Sequence, residues 1–261
     1  MSNGDWEFLK LERIGWVATL TLSRPKVNAL SRQMVAELAA AAKVIAADDD
    51  CSVVVITSDQ PHFCAGADLK ERQSLPEEEV AGVVAAIGAM INDIARLPQP
   101  SIASIYGTAV GGGAELALAC DLRIMGESGQ FGLNETSLGI IPGAGGTQRL
   151  TRLIGPARAS ALIYSAELMD ASQCLVTGAV NRVVPDRMLR SAAQAWAEAF
   201  AENAPLALRA AKRAILEGAD KPLSEGLEAE AAAYRQLIGT QDRREGMAAY
   251  LEKRRPQWQG S

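Results

Sequence analysis

The sequence predicts an α/β domain with a helical C-terminal extension, and three observations carry that prediction. Short β-prone apolar runs alternate with amphipathic stretches over about two-thirds of the 261 residues. From residue 187 the chain turns Ala-rich and charged, with breaks at Pro205, Gly218 and Pro222, which reads as helix throughout. No fixed-period repeat, low-complexity tract or long linker interrupts it. At this length a hydrophobic content of 48% is enough for a sizeable core.

Each element has its own signal. Residues 16–22 (WVATLTL) are apolar and β-prone, and Arg24-Pro25 closes them in a turn. From Ser31, a plausible N-cap, Met34, Leu38, Ala41 and Ile45 recur at helical spacing. Asp48, Asp49 and Asp50 mark a loop before the buried strand 53–57 (VVVIT). Residues 77–96 form the clearest amphipathic helix, with Val80, Val83, Val84, Ile87, Ile91 and Ile94 on one stripe and Pro98 and Pro100 ending it. Residues 101–106 and 122–125 read as strands, 114–120 as a short helix, and 180–184, bounded by Pro185, as the last strand.

Composition excludes several functions. Twenty-six basic residues against 31 acidic ones leave a net charge of −5, which gives no overall attraction for nucleic acid or an anionic membrane. No apolar run approaches the roughly 20 residues that cross a bilayer. Residues 1–8 (MSNGDWEF) have neither a signal-peptide nor a transit-peptide layout, so the expected location is the cytoplasm, or an organelle matrix if a transit segment has been removed. His62 is the one histidine, so a multi-histidine metal site cannot be built within the chain. Cys51, Cys64, Cys120 and Cys174 form no C-x-x-C pair and read as reduced, mostly core thiols. No metal or redox cofactor is expected.

Two Gly-rich turns remain as chemical candidates. The first, 63–70 (FCAGADLK), follows the VVVIT strand. The second, 107–118 (GTAVGGGAELAL), runs from a strand into a helix. Small residues leave backbone N–H groups open to an anion or a developing oxyanion. Equally, both stretches read as tight βα turns whose glycines only satisfy geometry. Neither is a nucleotide fingerprint: G-x-G-x-x-G fails at Leu116 and again at Gln148, and no Gly-Lys-Ser/Thr follows a glycine loop. Two carboxylates stand beside these turns. Glu115 follows three glycines in an otherwise apolar helix, and Glu135 lies among apolar residues just before a further loop, GAGG, at 143–146. A buried acid needs a partner or a task, and two acids beside glycine turns point to acid/base chemistry.

Segments 63–71 (FCAGADLKE), 111–124 (GGGAELALACDLRI) and 131–150 (FGLNETSLGIIPGAGGTQRL) strongly resemble the crotonase superfamily of enoyl-CoA hydratases and isomerases. Weaker similarity runs from about residue 8 to the C-terminus. Within the superfamily, ADLKER, INDIA and FGLNETSLGIIPG are most similar to methylglutaconyl-CoA hydratases, with enoyl-CoA hydratases of general breakdown nearly as similar. The resemblance implies a crotonase-like spiral of repeated ββα units over residues 1–195, and a helical oligomerisation region over 196–261 that forms a trimer or a dimer of trimers. It implies an acyl-CoA substrate. The N–H groups of Ala67 and Gly112 would form the oxyanion hole, and Glu115 and Glu135 would be the catalytic acids. Ala65, Asp68, Leu69, Lys70, Gly111 and Gly143 would line the substrate site, while Arg24 and Lys26 would be candidates for contacts to the CoA phosphates. Keeping both acids implies hydration of a 2-enoyl thioester, with isomerisation on the same scaffold as the alternative. One relative binds RNA through a lysine-rich helix after the oxyanion motif. Here that stretch holds Lys70 and Arg72 and then Glu77, Glu78 and Glu79, which repel phosphate. Asn134 departs from the Pro common at that place, and His62 reads as a loop residue with no triad partner.

Overall fold

Runs such as VVVIT carry no polar interruption because their strands are covered on both faces, as parallel strands are. In the computed structural model, which describes residues 6–261, strands β1 (Leu9–Ile14) and β2 (Val17–Leu22) form an antiparallel pair. Helix α1 (Arg32–Ala46), strand β3 (Val53–Ser58), helices α2 (Leu69–Gln73) and α3 (Glu77–Ala95) and strand β4 (Ser101–Ile105) follow. Then come β5 (Thr108–Val110), α4 (Gly112–Ala119), β6 (Leu122–Gly126), β7 (Gln130–Gly132), α5 (Gly146–Ile154) and α6 (Pro156–Ser165). β8 (Met169–Asp170), α7 (Ala171–Thr177) and β9 (Arg182–Val184) precede the last four helices. These are α8 (Leu189–Ala201), α9 (Pro205–Gly218), α10 (Leu223–Arg235) and α11 (Gln241–Glu252). Residues 1–5, on which most of the reading of the N-terminus rests, lie outside the described residues. Among the described residues no helix is long and apolar enough to cross a membrane.

Six strands form one sheet in the order β1-β2-β3-β4-β6-β9, parallel from β2 onward. The side chains of β3 alternate between two cores. Val54 and Ile56 join Met34 and Leu38 of α1 and Ile91 and Ile94 of α3. Val53 and Val55 join Ile102, Ile124 and, from α8, Leu189, Ala193, Trp196 and Ala197. The boundary expected between residues 195 and 196 therefore falls inside α8, and this helix covers the back of the sheet. β1 gives little sequence signal, because only Leu9 and Leu11 of its six residues are buried. Helix α1 starts where Ser31 marks it: the Ser31 hydroxyl accepts the Met34 N–H at 3.2 Å.

A second sheet, β5-β7-β8, is small but sets the site. β5 and β7 run parallel and end side by side, with Val110 opposite Gly132. The Gly111 N–H extends the pairing to the Gly132 carbonyl at 3.0 Å. Helix α4, carrying Glu115, and the turn carrying Glu135 thus leave neighbouring strand ends in the same direction.

Candidate active site

The two glycine turns meet. Phe63 and Cys64 donate to the carbonyls of Tyr106 and Thr108 at 2.8 and 3.1 Å, and Val110 donates back to Cys64 at 3.1 Å. The first turn is thereby laid along β5, directly against the start of α4. Gly113 sits under the Cys64 carbonyl, where a Cβ would collide with it. A Cβ on Gly66 would stand 2.8 Å from the Val110 carbonyl oxygen and 2.9 Å from the Gly112 nitrogen, and Gly66 has φ of +83°. Glycine is needed there both for its conformation and for the approach.

On its other side the first turn is held by Leu30, whose N–H donates to the Gly66 carbonyl at 2.8 Å and whose carbonyl accepts the Asp68 N–H at 3.2 Å. In extended chain, bonds made by residues 66 and 68 on one side leave residue 67 facing the other. The Ala67 N–H has no partner among the described residues, and neither does that of Gly112 at the first position of α4. A Cβ on Gly112 would lie 3.6 Å from the Ala67 nitrogen, so the two open donors are neighbours. Both residues line one cavity of about 140 Å³.

Glu115 and Glu135 line the same cavity. Glu115 is 2% exposed, and its Oε1 accepts the N–H groups of Ala144 at 2.7 Å and Gly146 at 2.8 Å. The GAGG loop is thus a cradle for this carboxylate. Arg149 of α5 ties that loop down, donating to the Ala144 carbonyl at 2.9 Å and to the Asn92 Oδ1 at 2.7 Å. Burial pushes the Glu115 carboxyl up, while the two N–H groups and Arg149 offset part of that. Glu135 opens a one-turn 3-10 helix (Glu135–Leu138), and its Oε2 is buried with no hydrogen-bond partner among the described residues. Burial, with the nearby Glu115 charge adding to it, pushes this carboxyl up to about 7. One acid is clamped by backbone donors and the other is poised to exchange a proton near neutral pH.

Of the residues expected to line the substrate site, Ala65, Leu69, Gly111 and Gly143 do line the cavity. Asp68 and Arg24 instead engage each other. The Asp68 Oδ1 caps α2 through the N–H groups of Lys70 and Glu71 at 3.1 and 3.2 Å, and Oδ2 accepts from the Arg24 guanidinium at 2.6 Å. Burial raises the Asp68 carboxyl, but the Glu71 N–H and Arg24 outweigh it and hold it below the usual carboxylate range. Arg24 also donates to the Ala29 carbonyl at 2.9 Å and stacks over Phe8 at 5.4 Å, so it braces the first turn from behind. Lys26 and Lys70 are exposed and outside the cavity wall. His62 accepts the Thr108 N–H at its Nδ1, 3.3 Å away, and is likewise outside the wall.

The sequence reading misses most of the apolar wall. Val84 and Ile87 belong to the stripe read as core, yet they line the cavity together with Leu138, Ile140 and Ile141. Helical spacing marks that stripe but cannot tell a wall from a core. The partial signal for the rest is the apolar pair Ile140-Ile141 held between Gly139 and Pro142 in a loop. Arg72 also lines the cavity. Among the described residues no group of three or more His, Cys, Asp and Glu side chains is placed to hold a metal ion. All four cysteines are buried and unpaired in disulfides, and burial pushes the Cys64 thiol up to about 12.

Known proteins are similar to this chain over nearly its whole length. The sequence pattern of the enoyl-CoA hydratase/isomerase family matches residues 12–261. The mitochondrial methylglutaconyl-CoA hydratase of Rattus norvegicus is 45% identical over 238 residues, covering 89% of this chain and 76% of that protein. An enoyl-CoA isomerase/hydratase of Mycosarcoma maydis is 41% identical, covering 92% of each. The crystal structure of an enoyl-CoA hydratase from Bacillus anthracis superposes with a TM-score of 0.95 at 43% identity, covering 98% of this chain and 100% of that one. With that agreement in sequence and in fold, the chain belongs to the enoyl-CoA hydratase/isomerase family.

Proposed function

We propose that the protein adds water reversibly, and syn, across the double bond of a 2-enoyl-CoA thioester to give the 3-hydroxyacyl-CoA. One observation carries this reading: two open backbone donors and two buried carboxylates face a single cavity. The thioester carbonyl oxygen lies between the N–H groups of Ala67 and Gly112. As water attacks C3, the π electrons of the double bond pass toward that oxygen, and the donors stabilise the charge that grows there. Glu115, whose carboxylate accepts the N–H groups of Ala144 and Gly146, takes the proton from the attacking water. Glu135, with its carboxyl at about 7, delivers a proton to C2. The product has gained one hydroxyl at C3 and one hydrogen at C2. The pair has moved one proton from Glu135 to Glu115, and exchange with water restores it.

The chemistry is drawn from these side chains and backbone groups alone, so activity should survive exhaustive chelation. Lys26 and Lys70, exposed on either side of the first turn, are the candidates for contacts to the CoA phosphates; Arg24 holds Asp68. Exposed Leu223, Tyr250 and Leu251 on α10 and α11 supply apolar surface for self-association as a trimer or a dimer of trimers.

Isomerisation of a 3-enoyl to a 2-enoyl thioester needs only one proton shuttle, whereas hydration uses both acids. Glu115→Gln and Glu135→Gln should therefore each lower hydration by several powers of ten, and the double variant should be little worse than the poorer single one. An isomerase would keep most of its activity in one of the two. Full hydration by either single variant defeats the assignment.

A further inference from the structure

Where a helix of this chain opens on Ser31, Asp68, Asp170 or Thr240, the side chain turns back and accepts a backbone N–H of the first turn. Asn134, at the same place before the 3-10 helix, does not. The four capping residues are extended, with ψ between 96° and 172°, whereas Asn134 has φ of −104° and ψ of 14°, which takes its side chain away from that turn. Its backbone is held all the same: the Asn134 carbonyl accepts the Ser137 N–H at 3.1 Å and the Ser137 hydroxyl at 2.7 Å. The carboxamide is half-buried, lines the cavity and makes no hydrogen bond among the described residues. Its oxygen lies with the reacting groups. A Cβ on Gly111 would stand 3.3 Å from Glu135 Oε1 and 3.8 Å from Asn134 Oδ1, so both oxygens flank one point next to the Gly112 donor. The Gly111 carbonyl in turn accepts the Glu115 N–H at 2.9 Å, one turn along α4. An attacking water brings two hydrogens to this place, and Glu115 takes one of them. The second needs an acceptor of its own if a lone pair is to stay aimed at C3, because a water held by one bond turns about it. The other polar side chains of the wall are Glu135, whose proton goes to C2, and Arg72, which only donates.

We propose that Asn134 is a third catalytic side chain, whose carboxamide oxygen accepts the second hydrogen of the attacking water and, in the reverse reaction, the hydrogen of the 3-hydroxyl group. The proposal rests on the hydratase reading of the cavity and adds to the two acids the group that fixes the direction of attack. Asn134 neither gains nor loses a proton. One water hydrogen passes to Glu115, and the other stays on oxygen, bonded to Oδ1 before and after the step. A lone pair of the water forms the new C–O bond at C3, and C2 takes its proton from Glu135. A neutral acceptor suits this position, because a third carboxylate beside Glu115 and Glu135 would push both of them further up.

Two reactions of the same protein separate this role from a structural one. Hydration of crotonyl-CoA needs the held water. Exchange of the C2 hydrogens of butyryl-CoA in D2O, followed by NMR, needs only the oxyanion donors and Glu135, which removes a proton and returns a deuteron. At about pH 7, Asn134→Leu, similar in size but without an acceptor, should hydrate roughly 5- to 100-fold more slowly, while exchange stays within about 2-fold of wild type. The variant should also lose affinity for 3-hydroxybutyryl-CoA relative to butyryl-CoA. Unchanged hydration, or hydration and exchange that fall together, overturns the proposal and leaves the two acids in their roles. Should Asn134→Leu not fold, Asn134→Val is read by the same two rates. Exchange without hydration by the wild-type protein overturns the hydratase reading, and neither reaction overturns the thioester site; this proposal falls with either.

Discussion

Glu135→Gln should move stability and catalysis in opposite directions. Burial, reinforced by Glu115, raises the Glu135 carboxyl from an ordinary 4.5 to about 7. At 1.36 kcal/mol per pH unit, ionising this group in the folded chain costs about 3 kcal/mol more than in the unfolded one. The folded-state value is the higher, so the stabilising contribution is complete below about 4.5 and is lost as pH rises through about 7. Glutamine has the same shape and no proton to lose. The variant should lie within about 1 kcal/mol of the wild-type protein at pH 5 and exceed it by roughly 2–3 kcal/mol at pH 8. Urea unfolding of both proteins at pH 5, 6, 7 and 8, at one protein concentration, reads the difference; other titrating groups cancel in it to first order. Catalysis should show the same proton. Hydration uses protonated Glu135, so kcat/KM should fall above about pH 7, while dehydration uses the ionised form and should fall below it. A variant no more stable than wild type at pH 8, or a stability difference that does not change with pH, would refute the reasoning.

Gly112→Val should lower kcat by about 10²- to 10³-fold, as expected for loss of one oxyanion donor, because a Cβ there stands 3.1 Å from Leu30 Cδ1 and beside the Ala67 nitrogen; near-normal turnover in steady-state assays would count against the site. Arg24→Met leaves the half-buried Asp68 without its cation and should cost roughly 1–3 kcal/mol in denaturant melts. Because Arg24 braces the first turn, kcat should drop more than KM rises, and a pure KM effect would instead mean direct contact with CoA. Sedimentation should give three or six chains per particle, and a monomer at micromolar concentration would remove the role assigned to the exposed faces of α10 and α11.

Fold class was legible because it depends on local pattern. Uninterrupted apolar strands announce a sheet covered on both faces, helical spacing marks α1 and α3, and Ser31 caps α1 through its own hydroxyl. The two glycine turns and the two acids were legible for a similar reason: open backbone donors need small neighbours, and a charge in an apolar run needs a purpose. The tertiary structure decided what those pieces do together. The parallel register of β5 and β7 brings Glu115 and Glu135, twenty residues apart, to one cavity, and no local pattern encodes that register. It also placed the Ala144 and Gly146 donors on Glu115, turned Arg24 and Asp68 toward each other, put Trp196 of α8 on the back of the sheet and brought Arg72 to the cavity wall. Each of these depends on contact between segments distant in the chain. Burial and field at a point are sums over such neighbours, so the proton affinity of Glu135 and the partner of Arg24 exist only once the chain has closed around them.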